Sequence, residues 1–296
     1  MKISYIGKFI RLHDEEYIAR SFEALGHQVI RIPQSSSHQD IVNILKVHTP
    51  DILLYAKWNC PPEVKPTIVQ LQRAGMKTVC WLFDLYFGYH REYIIRNSQF
   101  FKSDFVFTTD GGHNPQFTQY GIKHHCVRQG IYKDECVMFD EVDKSGIVFV
   151  GSSNPLYPER QEIMAMLKDV YGDHFTWYGR KDTNEIRGMD LNKLYAKTKI
   201  VIGDAVFSPH YWSNRVVETL GRGGFMIHPE VPGIAQEYPY LVLYRRGDMG
   251  DLRKKIDYYL THNKEREEIR RKNFEFVRDR YTTEKKCLEL LQWLNQ

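Results

Sequence analysis

Long hydrophobic runs are missing from this sequence of 296 residues. The longest apolar runs, such as Ile147–Val150, have the length of a strand, whereas a membrane-spanning helix needs about 20 apolar residues. The first residues, Met1–Ile6, read as a strand and lack the apolar segment of a signal peptide. We therefore expect a cytoplasmic protein without a transmembrane segment.

Motifs for metals and bound cofactors are also lacking. The cysteines are few, odd in number and scattered, so neither a zinc site nor a disulfide framework is predicted. They are Cys60, Cys80, Cys126, Cys136 and Cys287. Asp182 and Asp190 are too isolated to form an Asp-x-Asp pair, and the turn at Gly7–Arg11 has one glycine where a nicotinamide-binding turn needs three. We expect no metal ion and no bound cofactor.

The charge balance is nearly even, with 41 Lys and Arg against 37 Asp and Glu and a net charge of +4. This mild excess fits ligands that carry phosphate, but it is too small to require a nucleic acid. The composition is 42% hydrophobic and 26% charged, without low-complexity tracts, as in a globular protein of one large or two ordinary domains.

Strand-like and helix-like segments alternate along the chain, and the alternation starts twice. It begins at Lys2–Ile6 and begins again at Ile147–Val150, after the polar connector Asp140–Ser145. This order predicts two α/β domains with parallel sheets, at 1–143 and 144–282, followed by a short last helix at 283–294.

The segment Tyr211–Glu230 reads as a loop, a short helix, a glycine turn and a buried strand. Ser213 can cap the helix by accepting a backbone N–H. Arg215 and Glu218 lie three residues apart and share a helix face, where a cation and a carboxylate suit a sugar joined to a phosphate. The alternative is an ion pair between the two on the helix surface, worth about 0.2–0.5 kcal/mol.

Two further glycine turns predict close contact between the backbone and a ligand. In the first, Gly151 and Ser152 join a buried strand to a helix whose start, with Arg160, favours an anion. The second places Gly179 at the end of another strand. The alternative for Arg160 is an exposed helix arginine.

These motifs resemble the C-terminal domain of GT-B glycosyltransferases, in particular the spore-maturation-like relatives of the family 4 retaining enzymes. The resemblance covers about residues 145–296, and the N-terminal half resembles the family in architecture only. The residues that match the family's segment are Ser213, Arg215, Glu218, Gly223, Gly224, Phe225 and the turn Pro232–Gly233.

The resemblance implies a GT-B fold, in which two Rossmann-like domains face each other and a last helix, 283–296, crosses back to the first. It implies a metal-independent hexosyl- or pentosyltransferase whose donor is a nucleotide sugar, and a UDP-sugar in particular. Glu218 would accept hydrogen bonds from the ribose hydroxyls, while Arg160 and Arg215 would hold the diphosphate. Gly151, Ser152, Gly179 and Ser213 would complete the donor site.

One position departs from the family's pattern. Many retaining members carry a second glutamate eight residues before the one that matches Glu218, and this chain has His210 there. His210 could bind a hydroxyl of the donor sugar, but the donor sugar and the stereochemistry stay open.

The acceptor would bind to the N-terminal domain. Asp84 and His113 each follow a predicted strand, where a carboxylate or an imidazole could take the proton of an acceptor hydroxyl. Lys8 and the run His13–Glu16 follow the first strand, although Asp14 and Glu15 would also serve as ordinary helix-capping residues.

Three acceptor classes remain open: a cell-surface or lipid-linked glycan, a small molecule, and a hydroxymethylated base in DNA. Compact phage-type DNA glycosyltransferases share the fold, and a DNA interface would use Lys8, Arg11, Arg91 and Arg96. Two other functions also remain open, a GT-B-fold nucleotide-sugar epimerase and a non-catalytic module that binds nucleotide sugars or nucleic acid.

Overall fold

The computed structural model describes residues 1–87, 91–141, 144–152, 158–179, 185–206 and 208–295. The chain forms two compact units, of which the first comprises residues 1–132 and 283–296 and the second residues 133–282. The boundary between the units thus lies at 132/133, about ten residues before the boundary near 143 that the sequence predicts. Residues 142–143 lie outside the described part of the chain.

The first unit contains a parallel sheet of six strands in the order β2-β1-β3-β4-β5-β6. The strands are β1 Lys2–Gly7, β2 Gln28–Pro33, β3 Ile52–Tyr55, β4 Lys77–Trp81, β5 Phe105–Thr108 and β6 His124–Cys126. The helices between them are α1 Asp14–Ala24, α2 His38–His48, α3 Lys65–Arg73, α4 Glu92–Asn97 and α5 Asn114–Gln119. Because β2 and β3 lie on opposite sides of β1, the strand order reverses between β1 and β3.

Apolar side chains cover both faces of this sheet, as expected when helices pack on both sides. Successive residues of β3 point to opposite faces, so Leu53 belongs to one core cluster and Leu54 to the other. The last helix, α12 Thr283–Trp293, adds Cys287 and Leu290 to the cluster that contains Leu54. The predicted return of the C-terminal helix to the first domain is thus confirmed.

The second unit has a parallel sheet of five strands in the order β11-β10-β9-β7-β8. The strands are β7 Ser145–Val150, β8 Phe175–Tyr178, β9 Thr198–Ile202, β10 Met226–Pro229 and β11 Val242–Tyr244. The helices are α6 Pro158–Tyr171, α7 Gly188–Lys197, α8 Arg215–Gly221, α9 Ile234–Glu237, α10 Met249–Thr261 and α11 Asn263–Arg280. Here the strand order reverses between β7 and β9.

The predicted α/β class with two parallel sheets is confirmed. In open sheets of this kind, ligands bind beyond the carboxyl ends of the strands, at the point where the order reverses. The fold therefore marks two places, beyond β1 and β3 in the first unit and beyond β7 and β9 in the second. Within the described ranges, no helix combines the length and the hydropathy that crossing a bilayer requires.

Candidate functional site

Two glycines bring bare backbone to the carboxyl edge of the second sheet. Gly151 follows β7, and its N–H donates to the carbonyl of Tyr178 at the end of β8, at 2.9 Å. Gly179 follows β8 with φ +89°, and a Cβ on it would lie 2.9 Å from the carbonyl oxygen of Gly151. A side chain at Gly179 would therefore be both strained and obstructed, so the close approach of the two turns requires glycine at this position.

Asp204, two residues beyond β9, joins the two arginines that the sequence analysis singles out. The Asp204 carboxylate is 5% exposed. It accepts a hydrogen bond from Nε of Arg160 at 2.6 Å and, on its other oxygen, one from Nη2 of Arg215. Burial alone would raise the pKa of Asp204, but Arg215 and Arg160 hold that pKa below its usual value. Two guanidinium groups thus share one carboxylate, and the cluster keeps one net positive charge.

The two arginines differ in what they can reach. Both guanidinium groups lie over the ring of Phe149, at 5.3 Å for Arg160 and 5.4 Å for Arg215. The Arg160 side chain is 2% exposed, and its Nη1 donates to the carbonyl of Ser152 at 2.7 Å. The Arg215 side chain is 25% exposed, and its Nε has no hydrogen-bond partner within the described ranges. Arg160 fixes the turn after β7, whereas Arg215 is the more exposed of the two and the one that a ligand can contact.

Glu218, one helical turn after Arg215, belongs to a second charge cluster. Its Oε2 accepts from Nη2 of Arg222 at 2.7 Å and from Nε at 3.0 Å. Arg222 is 3% exposed and also pairs with Glu135 and donates to Oδ1 of Asn192 at 2.5 Å. The suggested surface pair between Arg215 and Glu218 is therefore wrong, because Arg215 pairs with Asp204 and Glu218 with Arg222.

Ser213 and His210 lie in the loop that leads into α8. The Ser213 hydroxyl accepts the N–H of Arg215 at 3.3 Å, which gives the first helical residue its bond. His210 is exposed, adopts φ +54°, and donates its N–H to the carbonyl of Pro232 at 2.8 Å. A Cβ on Gly233 would lie 2.2 Å from the His210 ring, so the Pro232–Gly233 turn packs directly against this imidazole.

A cavity of about 470 Å³ lies beyond β1, β3 and β4 of the first unit, at the reversal point of that sheet. We call it the Lys8 pocket. It is lined by Lys8, Ile10, His13, Asp14, Glu15, Gln34, Ala56, Lys57, Leu82, Phe83 and Asp84. Asp84, one of the two predicted acceptor-side bases, is thus in the pocket. His113, the other, is not part of this lining and stacks on Phe87 at a ring distance of 4.8 Å.

The carboxylates of the Lys8 pocket have defined partners. Asp84 pairs with Lys57, and Nη1 of Arg91 lies 3.9 Å from the same oxygen. Glu15 accepts the N–H of Lys8 at 2.9 Å, and burial raises the pKa of its carboxyl group. Asp84 is therefore already engaged in ion pairs within the first unit.

Four residues have structural roles that are not predicted from the sequence: Asp204, Arg222, Lys57 and Asp110. Asp204 follows a buried strand and a glycine, as Ser152 does, and that shared position is the signal that could have found it. Asp110, two residues beyond β5, is fully buried and accepts the N–H of Tyr86 at 2.9 Å. Burial raises its pKa to about 7.

No cluster of three or more His, Cys, Asp or Glu side chains that could hold a metal ion occurs in the described part of the chain. The Tyr178–Arg180 turn is described only as far as Gly179, because residues 180–184 lie outside the described ranges. The same holds for residues 153–157 of the turn between β7 and α6.

Residues 160–292 match a family described as glycosyl transferase-like. No curated protein is significantly similar to the chain in sequence. The fold is similar to sucrose-phosphate synthase from Thermosynechococcus elongatus, with a TM-score of 0.65, 13% identity and coverage of 100% of this chain and 98% of that chain. It is also similar to a UDP-forming α,α-trehalose-phosphate synthase from Burkholderia vietnamiensis, with a TM-score of 0.62, 9% identity and 100% of both chains covered. A third similar structure, trehalose-6-phosphate from E. coli bound with UDP-2-fluoro glucose, has a TM-score of 0.65, 9% identity and 99% of both chains covered.

The family match covers the helices that carry Arg160, Arg215 and Glu218, and the structural likeness covers both sheets. At these low identities the solved structures establish the fold, while the family match identifies residues 160–292 as a glycosyl transferase-like domain. The prediction of a GT-B glycosyltransferase is confirmed: the chain has the GT-B fold, and residues 160–292 lie in its glycosyl transferase-like domain.

Proposed function

We propose that the protein transfers a sugar from a UDP-sugar to an acceptor hydroxyl, with the donor's diphosphate bound beyond β7 and β9 of the second unit. The observation that carries this proposal is the buried Arg160–Asp204–Arg215 cluster beside Gly151. It places a net positive charge next to a glycine turn at the point where the strand order reverses.

The diphosphate would bind to Arg215 rather than to Arg160. Arg215 is the more exposed of the two, and the site of a Cβ on Gly151 lies 3.3 Å from its Nη1. During transfer the bond between the sugar's anomeric carbon and the diphosphate oxygen breaks, and negative charge collects on the departing UDP. A guanidinium held in place beforehand stabilises that charge without reorganisation in the transition state. This role needs no metal ion.

The ribose would bind to Glu218. Both hydrogen bonds from Arg222 end on Oε2, and the Glu218 side chain is 20% exposed. Arg222 thereby fixes the carboxylate in one orientation, and a fixed carboxylate accepts hydrogen bonds from a diol. His210 would bind the transferred sugar from the loop before α8.

A uridine nucleotide is supported by two of the similar structures, one described as UDP-forming and the other as bound with UDP-2-fluoro glucose. The acceptor would bind to the first unit, with Asp84 or His113 as the group that takes the hydroxyl proton. A cytoplasmic location remains part of the proposal.

The experiment that tests this function measures the release of UDP from UDP-glucose, with a panel of acceptors and in the presence of a chelator. We expect slow release without an acceptor and strong acceleration by the right one. An epimerase would instead convert the sugar without releasing UDP in proportion to any acceptor. A non-catalytic module would bind UDP and release nothing.

A further inference from the structure

The Lys8 pocket has the size and position of a small-molecule site. Its volume of about 470 Å³ falls within the roughly 300–1,000 Å³ usual for such sites. Lys8 follows β1 and Lys57 follows β3, so the pocket lies where the strand order of the first sheet reverses. The geometry therefore favours a bound ligand here, and the charges of the lining indicate its chemistry.

The cations of the pocket are already matched by carboxylates. The lining contains two lysines against the three carboxylates of Asp14, Glu15 and Asp84. Lys57 pairs with Asp84. Lys8 lies close enough to Glu15 to lower the pKa of its carboxyl group electrostatically, although burial outweighs this effect. An anionic ligand would have to compete with these carboxylates for both lysines.

The start of α1 gives an anion no further support. The helix begins at Asp14 and contributes His13, Asp14 and Glu15 to the pocket. A helix N-terminus attracts anions through its dipole and its free N–H groups. In this helix, however, the first turn carries three acidic residues, Asp14, Glu15 and Glu16, which offset that attraction. A phosphate at this position would be repelled by the negative charges of these carboxylates.

Hydroxyl groups suit the same lining well. Carboxylates accept hydrogen bonds from hydroxyls, while a lysine and a glutamine amide such as Gln34 donate to them. Phe83, which is only partly buried, adds an apolar surface against which the C–H face of a sugar ring can pack. The pocket thus combines both kinds of contact that a polyol makes.

We propose that the Lys8 pocket binds the acceptor, and that this acceptor is a neutral polyhydroxylated compound of the sugar type rather than a phosphorylated sugar or DNA. The inference rests on the proposed function, since it identifies the pocket with the acceptor site. It also separates this chain from the similar structures named for sucrose-phosphate and trehalose-phosphate. Of the arginines considered for DNA, Arg91 faces Asp84 and Arg96 donates to the Tyr120 hydroxyl at 3.2 Å.

The test compares glucose, maltose, glucose 6-phosphate and a hydroxymethylated DNA duplex in two measurements on the intact protein. The first uses saturation-transfer NMR to measure direct binding of each compound in the absence of a donor. The second is acceptor-stimulated release of UDP from UDP-glucose. We expect a neutral sugar to bind, and glucose 6-phosphate to bind at least tenfold more weakly than glucose.

Glu15→Gln is the informative variant, because it removes one negative charge from the lining and keeps the shape. In this variant, the ratio of the affinity for glucose to the affinity for glucose 6-phosphate should be several-fold smaller than in the wild type. Glu16→Gln is the matched control: it changes the same charge in the same helical turn but lies outside the lining, so the preference should change less.

Tighter binding of glucose 6-phosphate or of the DNA duplex would overturn the inference, as would equal effects of the two variants. Neither result would affect the proposed donor site, which is measured separately by UDP binding. Conversely, absence of UDP binding would overturn the proposed function, while the NMR measurement would still decide what the pocket prefers.

Discussion

The carboxylate of Asp204 lies 2.6 Å from Nε of Arg160, and both side chains are almost completely buried. Asp204 also pairs with Arg215, so it fixes two guanidinium groups at the carboxyl edge of the sheet. Removing one partner of a buried pair leaves a charge without compensation and typically costs about 3–5 kcal/mol. The stability of the second unit and the geometry of the proposed donor site should therefore depend on this one carboxylate.

Asp204→Asn should lower the free energy of unfolding by about 3 kcal/mol, because Arg160 keeps its buried charge and loses the matching one. Denaturant unfolding at neutral pH measures this change. Asp173→Asn is the control, since Asp173 forms an exposed pair with Lys168 at 3.3 Å and should give no measurable change. Equal stabilities of the two variants would contradict the role of Asp204.

Asp110 should make stability depend on pH. Burial raises the pKa of its folded-state carboxyl group to about 7, against 3.8 for the ordinary group. Between these values the folded state keeps a proton that the unfolded state has lost, so stability falls as pH rises from about 4 to 7 and then levels off. The loss is on the order of 2–4 kcal/mol.

The pH effect is measured as the free energy of unfolding of the wild type and of Asp110→Asn between pH 4.5 and 8. The amide cannot ionise but can still accept the N–H of Tyr86, so the variant should show a flatter profile and exceed the wild type above pH 7. Parallel profiles would show that Asp110 is not the titrating group.

Glu218→Gln should weaken UDP binding by about tenfold to 150-fold, which corresponds to the ~1.5–3 kcal/mol of a charge-assisted hydrogen bond. If the bond goes to the ribose, the wild type should prefer UDP to 2′-deoxy-UDP, and the variant should have lost most of that preference. Calorimetry measures both, with the exposed Glu230→Gln as the control. Unchanged UDP affinity in Glu218→Gln would refute the ribose assignment.

If arginine side chains neutralise the diphosphate as proposed, glycosyl transfer should proceed at full rate in excess chelator. The assay compares initial rates of acceptor-dependent UDP release with EDTA, with Mg²⁺ and with Mn²⁺. A strict requirement for Mn²⁺ would rule out this scheme.

The strands of both sheets could be read closely from the sequence where their apolar residues are continuous. The strands predicted at Lys2–Ile6 and Ile147–Val150 are observed at Lys2–Gly7 and Ser145–Val150, because buried parallel strands are apolar on both faces. The edge strand His124–Cys126 was not predicted, because its residues are half-buried and do not alternate in polarity. Propensity and pattern carry little signal for such a strand.

The long-range partners of the site could not be predicted. Helical spacing correctly puts Arg215 and Glu218 near one face, and it therefore favours an ion pair between them. In the folded protein each of the two side chains pairs with a different residue. Arg215 pairs with Asp204, from the loop after β9, and Glu218 with Arg222, one turn further along the helix. The difference in exposure between Arg160 and Arg215 likewise depends on how the two side chains pack around Phe149. A local sequence pattern carries no information about such packing.

The most direct measurement of the central claim is the calorimetric affinity of the wild type and of Arg215→Met for UDP and for uridine. If Arg215 binds the diphosphate, the variant should lose about tenfold to 150-fold in UDP affinity and almost nothing in uridine affinity. Arg253→Met, which alters an exposed arginine in the same unit, should leave both affinities unchanged. Equal losses for UDP and uridine, or no loss for either, would contradict a diphosphate site beside Asp204.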